Sequence, residues 1–185
     1  AEFVVTAPRV GVKALLVTRS VDTGRVGDNA PLRTIATIRA SDKTAQPRQL
    51  LNSAPLKRAI PGYVPLARVK PVRQRLLYFS ERPSNPKDPS SPTMFFVTVD
   101  DQPPQQFDPT SALPNITVHA GDVEDWIIEN RSLELHAFHI HQTHFQLLEW
   151  NGIPVSEPFL YDTINVPYWR EKMTSFPSIK IRMDF

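Results

Sequence analysis

The sequence predicts an all-β protein, a Greek-key β-sandwich or barrel, on three observations. Short apolar runs rich in β-branched residues recur along the chain between turn signals, as in sandwiches and barrels. Nineteen prolines stand against six glycines among 185 residues. Proline is excluded from helix interiors and central strands, so short strands and long loops are favoured. No stretch keeps a helical period for about ten residues.

The first part of the chain predicts three strands followed by a linker. Apolar runs at 2–5, 11–18 and 32–38 are separated by turn signals. Between residues 39 and 72, five prolines and dispersed charges break every period, which is typical of a linker. We therefore predict the end of one domain over 1–38, a linker over 39–72 and a second domain over 73–185. Because the chain starts and ends inside predicted strands, we expect a fragment.

Strand signals return in the second domain and continue to the end of the chain. A loop rich in proline and serine covers 84–92, residues 135–149 form one long strand-like run, and Asn151-Gly152 predicts a tight hairpin turn. The other predicted strands cover 75–79, 94–99, 123–129, 162–166 and 179–185.

Composition disfavours several classes of partner and chemistry. The net charge is +2, from 21 basic and 19 acidic side chains that are mixed along the chain. Without a basic stripe, we expect neither nucleic acid nor an anionic membrane as a partner. No apolar run approaches the roughly 20 residues that span a bilayer. With no cysteine, these residues contain no disulfide, thiolate ligand or thiol nucleophile.

Four of the five histidines lie within nine residues: His136, His139, His141 and His144. Residues two apart in a strand share a face about 7 Å apart, so His139 and His141 are predicted to converge on adjacent metal ions. His136 has the opposite parity and is predicted to face the other side of the layer. Neutral imidazole suits copper, zinc, iron and nickel, so spacing alone predicts a metal site of open identity.

The segment HAFHIHQTHF at 136–145 resembles the H-P-x-H-x-H motif of multicopper oxidases, and its flanks resemble that family in the same order. Residues 1–6, 123–130, 145–152 and 161–167 resemble the family's neighbouring strands. The resemblance covers the end of a second cupredoxin domain, a linker and most of a third domain. It therefore implies a cupredoxin-like Greek-key β-sandwich.

The resemblance implies copper at three residues. His136 would bind type 1 copper, which takes electrons from a phenol, an amine or a metal ion. His139 would bind type 2 copper and His141 one of the type 3 pair, where dioxygen is reduced to water. His144 falls outside this pattern, and Ala137 stands where proline is usual, which changes backbone stiffness more than ligand chemistry.

The family's His-Cys-His motif, which follows a strand like 179–185, is absent from these residues. We therefore expect the chain alone to be inactive and other chains or fragments to complete the fold. Separately, we expect the parent protein to be periplasmic or secreted. Two alternatives stay open: a non-enzymatic copper-binding cupredoxin module, and a relative without copper that acts through protein contacts.

Other residues that could suggest a site have simpler interpretations. His119 precedes a turn and is predicted at the surface. Asp122, Glu124 and Asp125 alternate between two faces, and we interpret them as a solvated strand edge. Trp126 is predicted to lie in the core.

Overall fold

The computed structural model describes residues 5, 7–40, 66–99, 101–111 and 113–185. In these ranges the regular structure is strand apart from a 3₁₀ turn at Leu66–Arg68, so the all-β prediction is confirmed. None of the helical structure described is long and apolar enough to cross a membrane. The strands are β1 Lys13–Val17, β2 Thr34–Arg39, β3 Arg73–Pro83, β4 Thr93–Val99, β5 Val123–Asn130, β6 His136–His139, β7 Phe145–Trp150, β8 Ile153–Pro154, β9 Thr163–Val166 and β10 Ser178–Asp184.

The described residues fall into two compact units, the first comprising 5, 7–22 and 29–40 and the second the remainder. The first unit contains the antiparallel pair β1–β2. Residues 23–28 belong to the second unit. The predicted domain boundaries stay a prediction, because the strand expected at 2–5 and most of the linker lie outside the described residues.

In the second unit two sheets supply one core. The larger sheet has the order β4-β3-β5-β10-β7-β8, with β3 and β5 parallel, and the smaller sheet is the antiparallel pair β6–β9. Alternation along β10 buries Ile179, Ile181 and Met183 completely, and each such side chain contributes about 1.5–3 kcal/mol. Phe138 of β6 and Val166 of β9 join the same core from the smaller sheet.

The predicted hairpin at Asn151-Gly152 is confirmed. These residues have φ of 50° and 74°, and they join β7 to β8 with Trp150 opposite Ile153. Positive φ at both central residues is the geometry of the turn that matches strand twist.

The run 135–149, predicted as one strand, forms two. β6 pairs with β9 in the smaller sheet, whereas β7 pairs with β10 in the larger sheet. The chain therefore changes sheets between residues 140 and 144, where Gln142 has a φ of 69°. The apolar pattern continues through the break because both strands face one core.

The interpretation of the acidic residues as a solvated edge is wrong for Glu124 and Asp125, which are buried. They lie on β5, between β3 and β10, and each neighbouring strand supplies an arginine. Arg75 binds Glu124, and Arg182 binds both carboxylate oxygens of Asp125 at 2.5 and 2.9 Å. Trp126 lies in the core as predicted.

Candidate metal centre

Strand β6 presents its two histidines to opposite sides. His136 and Phe138 point inward, whereas Ala137 and His139 are exposed. Phe138 anchors the strand, because its ring packs 5.6 Å from that of Phe145 in the core. The alternation of a single anchored strand thus separates His136 from His139.

His139 and His141 lie together on the exposed side. Their ring centroids are 4.8 Å apart. Nδ1 of His139 lies 2.8 Å from the carbonyl oxygen of Asp162 and 2.7 Å from Oγ1 of Thr163, its partner on β9. With its proton on Nδ1, His139 donates to that carbonyl and keeps the lone pair of Nε2 for a metal, as metal-ligating histidines commonly do.

His136 is partly buried beside aromatic rings. Its ring centroid lies 5.0 Å from that of Phe79 and 6.1 Å from that of Phe95. Nε2 is buried and has no hydrogen-bond partner among the described residues. Burial lowers the pKa of His136, against an opposing effect of the charge on Glu81. The neutral imidazole, which is the form that binds metal, is therefore favoured.

Two glutamates lie close to His136, and neither was predicted from the sequence as a site residue. One donor atom each from Glu81, Glu134 and His136 lie within 4.8 Å of one another. Burial raises the pKa of Glu134, and the charges of Glu81 and Asp28 raise it further. Glu134 shares strand parity with His136 and was detectable from that spacing. Glu81 lies on β3, and only the fold brings it here.

A cavity of about 760 Å³ adjoins this group. Its walls are mostly apolar side chains from β3, β4 and residues 105, 107 and 114–116, and Glu134 and His136 also line it. The apolar lining includes Leu77, Phe79, Phe95, Val97, Phe107 and Ile116.

The other two histidines lie outside these groups. His119 is at the surface as predicted, with its side chain 85% exposed and Nδ1 3.3 Å from Asp122. His144 is exposed. The structure thus brings His139 and His141 together and places His136 with Glu81 and Glu134. That His136, His139 and His141 bind metal stays a prediction.

Comparisons with known proteins agree with this architecture. The family model for multicopper oxidases matches residues 85–175, about half of the chain. Among fourteen matching chains of solved structures is a multicopper oxidase from Campylobacter jejuni, described as a metallo-oxidase. It superimposes with a TM-score of 0.59 at 22% identity, over 97% of this chain and 36% of that one. The cupredoxin-like fold is therefore confirmed, over about a third of that protein's length. Comparison with curated protein sequences gives no match.

Proposed function

Because the chain is a member of the multicopper oxidase family, we propose that it carries part of the copper-binding machinery of such an oxidase. The observation that carries the proposal is the opposed presentation of histidines around β6. His139 and His141 have their rings 4.8 Å apart on the exposed side, whereas His136 is turned inward. One short segment can therefore serve two separate copper positions.

In this proposal His136 binds type 1 copper, His139 type 2 copper and His141 one type 3 copper. Bound copper supplies one-electron oxidation of a reductant at the type 1 position and reduction of dioxygen to water at the cluster. Other residues of the chain set the orientation and the protonation state of these histidines. The carbonyl of Asp162 orients His139, and burial keeps His136 neutral.

For the reductant we propose an aromatic amine. The apolar cavity beside His136 suits an aromatic ring, and the carboxylates of Glu81 and Glu134 suit the positive charge that develops on the amine nitrogen when the amine gives up an electron. A metal ion is the second candidate, because Glu81 and Glu134 each have a carboxylate oxygen within 4.8 Å of a nitrogen of His136 and could hold a cation next to the copper that His136 would bind. Being described as a metallo-oxidase, the Campylobacter protein supports this second candidate.

We further propose that the chain alone is inactive and that other chains or fragments complete its copper sites. An intense blue type 1 centre needs a copper–thiolate bond, and the chain has no cysteine. A periplasmic or secreted location accompanies this proposal. The alternative is that the chain is a non-enzymatic copper-binding module. The arrangement of His136, His139 and His141 fits this alternative equally well.

One titration tests the assignment of His139 and His141 as ligands together with the absence of an intense blue type 1 centre. Cu(II) is added to the purified chain with isotopically labelled histidine, while imidazole NMR signals and visible absorption are recorded. We expect the signals of His139 and His141 to broaden first, those of the surface residue His119 to stay sharp, and no intense blue band to form. Early broadening of His119 alone, or a strong blue band, would contradict the proposal.

A further inference from the structure

The side chain of Asn130 lies at the junction of the two sheets, at the level of His136. Asn130 is the last residue of β5 in the larger sheet, and it is fully buried. Its Nδ2 donates to the carbonyl of Glu134 at 2.9 Å and to that of Val166 at 3.1 Å. Glu134 precedes His136 by two residues, and Val166 is the partner of His136 across the smaller sheet. The side-chain amide of Asn130 is therefore hydrogen-bonded to the backbone two residues before His136 and to the backbone opposite His136 on β9.

Ser132 fixes the orientation of that amide. Its backbone N–H lies 3.0 Å and its hydroxyl 2.7 Å from Oδ1 of Asn130, and the side chain is 1% exposed. The hydroxyl oxygen also lies 3.0 Å from the carbonyl of Glu134. With Oδ1 accepting from Ser132, Nδ2 must face the two carbonyls. All the hydrogen-bonding capacity of the amide is used, as buried polar groups require.

Residues 133–135, which precede His136, also form hydrogen bonds along the edge opposite to Asn130. The N–H of Leu133 donates to the carboxylate of Glu81 at 3.0 Å, and its carbonyl accepts from Arg25 at 3.1 Å. The N–H of Leu135 donates to Thr23 at 2.8 Å. Each of these contacts joins residues distant in sequence, so the segment has little freedom before β6 begins.

We propose that Asn130 is a positioning residue for His136, which it acts on through the carbonyls of Glu134 and Val166. The imidazole is thereby kept against the ring of Phe79, 5.0 Å away, before any ligand binds. Such support of a ligand by buried hydrogen bonds reduces the reorganisation that binding requires. The functional meaning of this inference rests on the proposed role of His136 in copper binding, whereas its test needs no metal.

The test compares Asn130→Ala with Asn165→Ala in the metal-free chain. Asn165 is an exposed asparagine on β9, one residue before Val166, and is the matched control. The ring protons of His136 carry a ring-current shift from Phe79, and NMR reports it separately from overall stability. We expect Asn130→Ala to move the His136 signals towards their unstacked positions while those of His139 and His119 stay in place. The control should move none of them.

Ser132→Ala keeps the inference testable if Asn130→Ala does not fold, because it removes only one of the contacts to the amide. It should shift the His136 signals in the same direction by a smaller amount. Unchanged His136 signals in a folded variant that is merely less stable would overturn the inference, as would equal shifts at all histidines. If the His136 signals move as expected but Cu(II) broadens no histidine, the proposed function fails and the positioning role stands.

Discussion

Replacing Glu124 with glutamine would remove the negative charge that binds the guanidinium of Arg75 inside the second unit. The two side chains are 3% and 8% exposed. Arg75 donates through Nε to Oε2 at 2.6 Å and through Nη2 to Oε1 at 3.0 Å, and the indole N–H of Trp126 donates to Oε2 at 2.9 Å. Glutamine has the same shape but keeps one acceptor oxygen, and its amide would place a donor against these donors.

Removing one member of a buried ion pair costs about 3–5 kcal/mol. We expect the lower end, about 3 kcal/mol, because glutamine retains one acceptor. Arg75 also keeps its hydrogen bond to the carbonyl of Thr117 at 3.1 Å. The free energy of unfolding is measured by urea denaturation with circular dichroism. The slope of this free energy against urea concentration should be the same in the variant and the wild type. The matched control is Glu171→Gln, which breaks an exposed pair with Arg25 and should cost about 0–1 kcal/mol.

The stability difference between the wild type and Glu124→Gln should also depend on pH. Burial alone would raise the pKa of Glu124, but the hydrogen bonds from Arg75 and Trp126 and the charge of Arg75 outweigh it and lower the pKa below its ordinary value of 4.5. A lowered pKa in the folded state stabilises the protein above the unfolded pKa, and this stabilisation is lost as the pH falls through the folded value. The difference between wild type and Glu124→Gln should therefore be constant at neutral pH and shrink in acid. A difference below about 1 kcal/mol at neutral pH, or one that grows in acid, would refute the reasoning.

Two further predictions concern the second unit. Gly24→Ala should lower the free energy of unfolding by more than Gly152→Ala, which costs about 1–2 kcal/mol because an L side chain disfavours positive φ. Both glycines have positive φ, but only at position 24 would the new Cβ approach a neighbouring backbone atom, at 2.3 Å; equal losses in urea denaturation would contradict this. Burial, and then the hydrogen bond and charge of Glu157, raise the pKa of Tyr161 to about 12. In an ultraviolet absorbance titration one tyrosine should stay protonated until that pH, and Tyr161→Phe should abolish the late step.

Features set by local pattern could be predicted from the sequence. Asn151-Gly152 specifies its turn because both positions need positive φ, and the apolar alternation in β10 specifies that Ile179, Ile181 and Met183 are buried. The parity of His136 relative to His139 follows from the same period of two, and the structure places them on opposite sides.

Features set by contacts between distant strands could not be predicted. Glu124 and Asp125 look like solvated residues until β3 and β10 supply an arginine to each. The strand predicted at 75–79 stops before Glu81, because its polar end has no apolar alternation. Pairing with β4 extends β3 to Pro83 and brings Glu81 to His136.

The central claim is that, in the chain alone, His139 and His141 together bind one Cu(II) ion and that His136 is separate from this pair. In the complete oxidase the same two residues are proposed to bind neighbouring type 2 and type 3 copper ions. Calorimetric titration of Cu(II) into the wild type and into His136→Ala, His139→Ala and His141→Ala tests it most directly. We predict that His139→Ala and His141→Ala each weaken the same binding event by at least about tenfold, or about 1.4 kcal/mol. His136→Ala should leave that event unchanged. Equal weakening by His136→Ala, or unchanged affinity after loss of either His139 or His141, would contradict the claim.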